Sequence, residues 1–193
     1  MINLRSAKIK DIKQIQETEK KYYEGFSYPE KTLKNWIRKT PSNFIVAEKN
    51  GKIIGFIFFE YVKKAEAIPF VHQPENNRDG KYIYISEIAV LEKHKDILQE
   101  LFDRIIIKAK KNKIRKIVWL TGQKKKHDKI ERELLLKNDF RKIKHVENWE
   151  AYPNYFVSDH WHKLFKNVIL NLFQDLSIYS FWFCEIHQTK ILQ

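Results

Sequence analysis

The chain reads as one α/β (α+β) domain, a mixed sheet flanked by helices. Short runs of β-branched and aromatic residues alternate along it with segments whose apolar residues recur at helical spacing. An Asn50-Gly51 pair between two such runs marks a tight hairpin. Glycine and proline number only 5 each in 193 residues, so regular elements outweigh irregular ones.

Residues 2–5 alternate and read as a first strand. Ile9, Ile12 and Ile15 then recur with helical spacing, and the helix runs on to Tyr22. Ser27-Tyr28-Pro29-Glu30 has the form of a capping box, with Ser27 as N-cap, Pro29 in the first turn and Glu30 at the third helical position. The helix it opens carries Leu33, Trp36 and Ile37 on one face. Strands at 44–47 and 53–59 flank the Asn50-Gly51 turn. Residues 63–80 are polar, contain Pro69, Pro74 and Gly80, and read as a long loop. Residues 82–90 form a strand rich in β-branched and aromatic side chains. Ile97, Leu98, Leu101, Phe102, Ile105, Ile106 and Ala109 make the broad apolar stripe of the next helix. A short buried strand at 116–120 follows, then a helix at 129–137 with Ile130, Leu134 and Leu135 facing inward. Residues 140–146 and 150–157 close the domain as a strand pair. The order predicts about seven strands and about four helices.

The domain spans 1–157, and 158–193 is a C-terminal apolar tail. From about Asn167 the character changes. Ile169, Leu172, Phe173, Leu176 and Phe183 fall roughly on one helical face, as in a docked amphipathic helix or a membrane-surface segment. The run 168–176 also resembles a peptide read from an interspersed bacterial DNA repeat. On that reading the tail has no designed role, and deleting 167–193 leaves folding intact.

A composition of 43% hydrophobic and 32% charged residues supports a folded core and excludes a disordered chain. The formal net charge of +13 favours anionic partners such as nucleic acid, nucleotide-like cofactors and acidic lipids. The lysines are spread along the whole chain, and a solvated Lys-rich surface is the more frequent explanation of such a charge. Cys184 is the one cysteine; it excludes an internal disulfide framework and a multi-cysteine zinc site, and a reducing, cytoplasmic setting is expected. The stretch from Met1 to Arg5 has no apolar run of signal-peptide type, and no apolar run is long enough for a transmembrane helix. His160 and His162, with His145 and His187 elsewhere, have no carboxylate or thiol at ligand spacing, so no metal site is expected. No phosphate-cradling or dinucleotide glycine motif occurs. Trp149, Tyr152, Tyr155 and Phe156 are not interleaved with basic residues in the manner of a base-stacking module.

Five phrases recur in a familiar order: Leu4-Arg5-Ser6-Ala7 with Asp11-Ile12; Val46-Ala47-Glu48; Gly51-Lys52-Ile53-Ile54-Gly55-Phe56; Ile88-Ala89-Val90-Leu91; and Leu136-Lys137-Asn138-Asp139-Phe140. Together, from Ile2 to about Phe156, they resemble the GCN5-related N-acetyltransferase (GNAT) family. The resemblance implies a mostly antiparallel sheet with acetyl-CoA in a gap where the fourth and fifth strands separate. It places the pantetheine arm on the backbone of Ile88, Ala89 and Val90. It places the pyrophosphate on the stretch Lys93, His94, Lys95, Asp96, Ile97 and Leu98, where a helix N-terminus offers unpaired amides.

The chain departs from the family pattern here. The usual loop is Gln/Arg-x-x-Gly-x-Gly/Ala, whereas this one is Glu92-Lys93-His94-Lys95-Asp96-Ile97-Leu98, with neither glycine. Asp96 stands where it can cap the helix, and its carboxylate then competes with a diphosphate for the same amides. Lys93, His94 and Lys95 can offer side-chain phosphate ligands. Lys124-Lys125-Lys126 is open to three readings: the 3′-phosphate of CoA, RNA, or solvent.

The implied reaction is attack of an amine on a thioester, which needs a base. Glu87, on the fourth strand, is the candidate, and pairing with a lysine is the alternative for it. The family's thiolate-protonating Tyr falls at Leu135 and its Asn at Asp128; Tyr152 and Tyr155 are substitutes for that Tyr or ordinary sheet aromatics. The function implied is an N-acetyltransferase acting on an amine-bearing small molecule, a peptide N-terminus or a lysine. The alternative is a catalytically inactive binding module of the same fold, associated with RNA or the ribosome through its basic surface.

Overall fold

Asn50 and Gly51 take φ of 52° and 74°, the paired left-handed conformation of a tight hairpin turn whose twist matches its flanking strands. The computed structural model describes residues 2–25, 27–62, 80, 82–91, 94–114, 116–122, 126–147 and 178–185. Around the hairpin lie β1 (Ile2–Ser6), α1 (Ile12–Tyr22), α2 (Glu30–Lys39), β2 (Phe44–Lys49), β3 (Lys52–Val62), β4 (Tyr82–Val90), α3 (Ile97–Lys111), β5 (Lys116–Gly122), α4 (Lys126–Lys137), β6 (Arg141–Glu147) and β7 (Ile178–Glu185), with single 3-10 turns at Ile9–Asp11 and Pro41–Asn43.

The strands make one 7-stranded sheet in the order β1-β2-β3-β4-β5-β7-β6. Only β4 and β5 run parallel; the other neighbours are antiparallel. The mixed, mostly antiparallel sheet with four flanking α-helices agrees with the fold expected from sequence.

β3 is buried on both faces, and its alternate residues divide between two cores. Phe56 and Phe58 join Ile12, Ile15, Leu33, Trp36 and Ile37 of α1 and α2. Within this layer Trp36 stacks on Phe58, ring centres 4.6 Å apart. Ile57 and Phe59 join Ile97, Leu101, Phe102 and Ile105 of α3 and Leu134 and Leu135 of α4 on the opposite face. A sheet covered on both sides reads as near-continuous hydrophobic strands, as 53–59 does.

Three expectations are corrected. The second helix is not capped by Ser27: Pro29 is the N-cap, and its carbonyl accepts the N–H groups of Thr32 (2.9 Å) and Leu33 (3.2 Å). Proline lacks a donor to orphan at that position. Just ahead of the helix, Tyr28 donates its N–H to Glu19 Oε2 at 3.1 Å.

The first helix proper begins at Ile12, after a 3-10 turn in which the Lys8 N–H bonds Asp11 Oδ2 at 2.7 Å.

The helical-face reading of the tail fails for 178–185, which is a strand. Ile-Tyr-Ser-Phe-Trp-Phe-Cys-Glu is dense in residues that suit a pleated surface and has no glycine or proline. It pairs with β5 from Lys116↔Glu185 to Gly122↔Tyr179 and with β6 on its other side. The strand expected at 150–157 and the boundary at 157/158 lie outside the described residues, as does nearly all of the 63–80 loop. No described helix is long and apolar enough to cross a membrane.

Candidate active site

The sheet parts between β4 and β5. Their ladder covers only Tyr82↔Lys116 to Ile85↔Trp119, while β4 continues to pair with β3 as far as Val90. β5 pairs with β7 on its other edge along its whole length, so beyond Trp119 its β4-facing edge is left without a strand partner. The split coincides with a bulge. Phe58 opposes Glu87 and Phe59 opposes Ile85, so Ser86 is the extra residue.

The backbone directions along the parted edge follow from one bond. Leu91 donates its N–H to Ile54 O at 2.9 Å, so this opposed pair is a hydrogen-bonded one. Alternation then makes Ala89 and Glu87 bond to β3 and turns the N–H and C=O of Ile88 and Val90 away from β3, into the gap. Tyr23 shows the consequence: its hydroxyl donates to Ile88 O at 2.5 Å. Gly55 permits the close approach of β3 behind this edge. A Cβ there would meet Val90 Cγ2 at 2.8 Å and Ala89 O at 3.1 Å.

Cross-strand partners share a face, so Glu87 lies with Phe58 on the side covered by α1 and α2. Glu60 and its partner Tyr84 lie there too, and Ser86 Oγ donates to Glu60 Oε2 at 2.8 Å. α1 adds Glu19, Tyr22 and Tyr23, and Tyr22 donates to Glu131 Oε1 of α4 at 3.2 Å. The result is an acidic cluster deep in the fold: Glu19, Glu60, Glu87 and Glu131 expose 0%, 1%, 8% and 4% of their surface. Burial, then the Glu87 charge, pushes the Glu19 carboxyl up to about 9. The Tyr23 hydroxyl is raised well above 10 by burial and by the charges of Glu87 and Glu131, and also lies within hydrogen-bonding reach of Glu87. Tyr28 is raised in the same way by burial, Glu87 and Glu19. These phenols therefore stay neutral and act as donors.

The residues expected at the cofactor loop take different places. Ile88, Ala89 and Val90 are buried on β4, and Glu87 stands beside the gap as expected. His94 is half-buried, with its N–H on Leu91 O at 2.7 Å; Lys95 and Asp96 are exposed. Asp96 occupies the N-cap position of α3, but its side chain makes no capping hydrogen bond, so it does not take the helix amides. Ile97 and Leu98 turn their side chains into the core and present only backbone to the loop. Lys93 lies outside the described residues, as do Lys124, Lys125, Tyr152 and Tyr155. Leu135 is fully buried core.

Sequence reasoning missed Glu19, Tyr23, Tyr28, Glu60 and Glu131. The one available signal was Glu131, which shares a helix face with Leu135 at i, i+4. Among the described residues, no group of three or more His, Cys, Asp or Glu could hold a metal ion.

The description "Acetyltransferase (GNAT) family" belongs to the family model that matches residues 9–132. Solved structures of similar fold include an N-acetyltransferase from Staphylococcus aureus Mu50, at 17% identity and TM-score 0.64 over 96% of this chain and 98% of that one. The loading GNATL domain of CurA from Lyngbya majuscula gives 14% identity and TM-score 0.67 over 96% and 98%. The NatC complex bound to Gag peptide and CoA gives 14% and 0.63 over 96% and 99%. Identities this low speak to the fold alone. No curated protein matches the sequence. The family match covers more than half of the chain, and the sheet order and parted β4–β5 edge agree with it: the chain belongs to the acetyltransferase (GNAT) family.

Proposed function

We propose that the protein is an N-acetyltransferase that moves the acetyl group of acetyl-CoA to an amine on a small molecule, a peptide N-terminus or a lysine. The observation that carries this reading is the parted β4–β5 edge, with the Ile88 and Val90 backbone turned into it and Glu87 beside it. That edge offers an extended pantetheine chain the N–H groups of Ile88 and Val90 and the C=O of Val90, while Ile88 O is already bonded by the Tyr23 hydroxyl. The stretch from His94 to Leu98 faces the pyrophosphate, and the absence of a capping bond from Asp96 supports that role. The NatC structure, with its bound CoA and peptide, supports the same pairing of substrates.

On this reading Glu87 takes the proton of the incoming ammonium, directly or through water, and the neutral amine attacks the thioester carbonyl. An N–H breaks and an O–H forms on Glu87, then the C–S bond breaks as the amide forms. Tyr23 is too hard to ionise to protonate the leaving thiolate; its neutral hydroxyl instead orients Glu87 and Ile88 O. The thiolate takes its proton from Glu87 or from water. An acidic lining in a chain of net charge +13 favours a cationic acceptor here and disfavours nucleic acid at this site. The single cysteine fits a reducing, cytoplasmic setting.

The test has two readouts. Acetyl-CoA at about 100 times its Kd stabilises the fold by about 2.7 kcal/mol, seen as a rise in Tm. With an amine panel the protein consumes the thioester, and Glu87→Gln slows this by about 100-fold or more. No Tm rise and no thioester loss, with RNA affinity that falls steeply as salt rises, would establish the inactive binding module instead.

A further inference from the structure

Glu19 has no exposed surface, and its two oxygens are treated differently by the fold. Oε2 accepts the Tyr28 N–H at 3.1 Å. Oε1 has no hydrogen-bond partner and less than 1 Å² of accessible surface. An ionised carboxylate with one oxygen left bare in a low-dielectric interior is strongly disfavoured. Something positive must answer Oε1, and the space decides what it is. There is no access for water, so an ammonium group has no room. Among the described residues no three His, Cys, Asp or Glu side chains are placed so that they could hold a metal ion. A proton needs no room.

A second buried carboxylate stands on the strand that α1 packs against, β4. Glu87 is the group whose charge acts most on Glu19, opposed by the weaker influence of Lys20 on α1. The other titratable groups of the cluster are Tyr23 and Tyr28, which donate to Ile88 O and to Glu19 respectively through hydroxyl and backbone, Tyr22, which donates to Glu131, and Tyr84, Glu60 and Glu131. None of these offers Oε1 a donor among the described residues.

We propose that Glu19 carries a proton in the folded protein and turns it toward Glu87, so that two carboxylates hold one proton and Glu19 is the positioning residue for the Glu87 base. This rests on the acetyltransferase reading for the role of Glu87, although the shared proton itself does not. A pair with one negative charge between them matches one ammonium group. When the acceptor gives up its proton, the new O–H forms on Glu87 while the O–H of Glu19 stays intact.

The experiment is a set of thermal melts of the full chain from pH 5 to 9, comparing wild type with Glu19→Gln and Glu87→Gln. A glutamate that ionises near 4.5 when unfolded and near 9 when folded makes the folded state hold a proton the unfolded state has lost. Wild-type stability therefore falls as pH rises through that window. Glu19→Gln has no such proton, so its Tm gains steadily on the wild type from pH 5 to 9. Should Glu19→Gln fail to fold, Glu87→Gln decides, because removing the Glu87 charge flattens the same decline. A wild-type decline that both variants reproduce unchanged overturns the proposal.

In the activity arm, Glu19→Leu lowers kcat on the order of tenfold with KM little changed, and Glu19→Gln, which keeps a donor, recovers part of the loss. Equal losses in both variants overturn the positioning role. A protein that shows the pH-dependent melts but acetylates nothing keeps the shared proton and loses the acetyltransferase reading, so the two failures are separable.

Discussion

Arg5 ties the first strand to the start of the first helix. Its guanidinium donates to both oxygens of Asp11, at 2.6 and 3.0 Å, and its Nε donates to Glu48 Oε2 at 2.7 Å. Burial pushes the Asp11 carboxyl up, but the Arg5 and Lys8 hydrogen bonds outweigh it and leave the group below its usual 3.8. A carboxylate held lower in the folded state contributes stability above about pH 4 that is lost as pH falls further. Asp11→Asn should therefore destabilise by about 2–3 kcal/mol at pH 7, and its deficit against wild type should shrink between pH 4 and 2, as read by denaturant melts. Gly55 is a second pressure point. A methyl group there collides with Val90 on the very edge that bounds the gap, so Gly55→Ala should cost about 1–3 kcal/mol and weaken acetyl-CoA binding together. Titration of the ligand against both proteins by calorimetry checks the second half.

At the scale of elements, the most consequential one is β7. It lies between β5 and β6, so its removal strips both of a partner and opens two edges. Deletion of 167–193 should lower Tm by more than 10 °C or leave the protein insoluble, and circular dichroism of the truncated chain measures it. Sequence made the β2–β3 hairpin plain because Asn50-Gly51 has one good use. It made α3 plain because fifteen residues keep one stripe. The tail defeated it because an aromatic run such as Ile178 to Phe183 satisfies a helical and a strand pattern alike, and long-range pairing with Lys116 to Gly122 settles the choice. The candidate site was legible only in its β4 half. Glu87 stood out beside Ile88-Ala89-Val90, but Glu19 sits in a run of Gln, Glu and Lys that looks like a solvated helix face. Its burial is decided by α1 lying over β4, and the Ser86 bulge that gathers Glu60 and Glu87 has no local signature.

For the whole molecule, a chain of net charge +13 buries an acidic, tyrosine-lined cluster beside the edge where β4 and β5 part. The parted edge lies where the β4–β5 ladder stops at Ile85↔Trp119, while β5 stays paired with β7 on its other side from Lys116 to Gly122. On the proposed function, this edge accepts acetyl-CoA as it would accept a strand. Amide hydrogen exchange followed by NMR, with and without acetyl-CoA, tests it residue by residue. The Ile88 and Val90 amides should slow by at least about tenfold on adding acetyl-CoA, while those of Glu87 and Ala89, already paired with β3, should not change. Unchanged exchange at Ile88 and Val90 under saturating acetyl-CoA would contradict it.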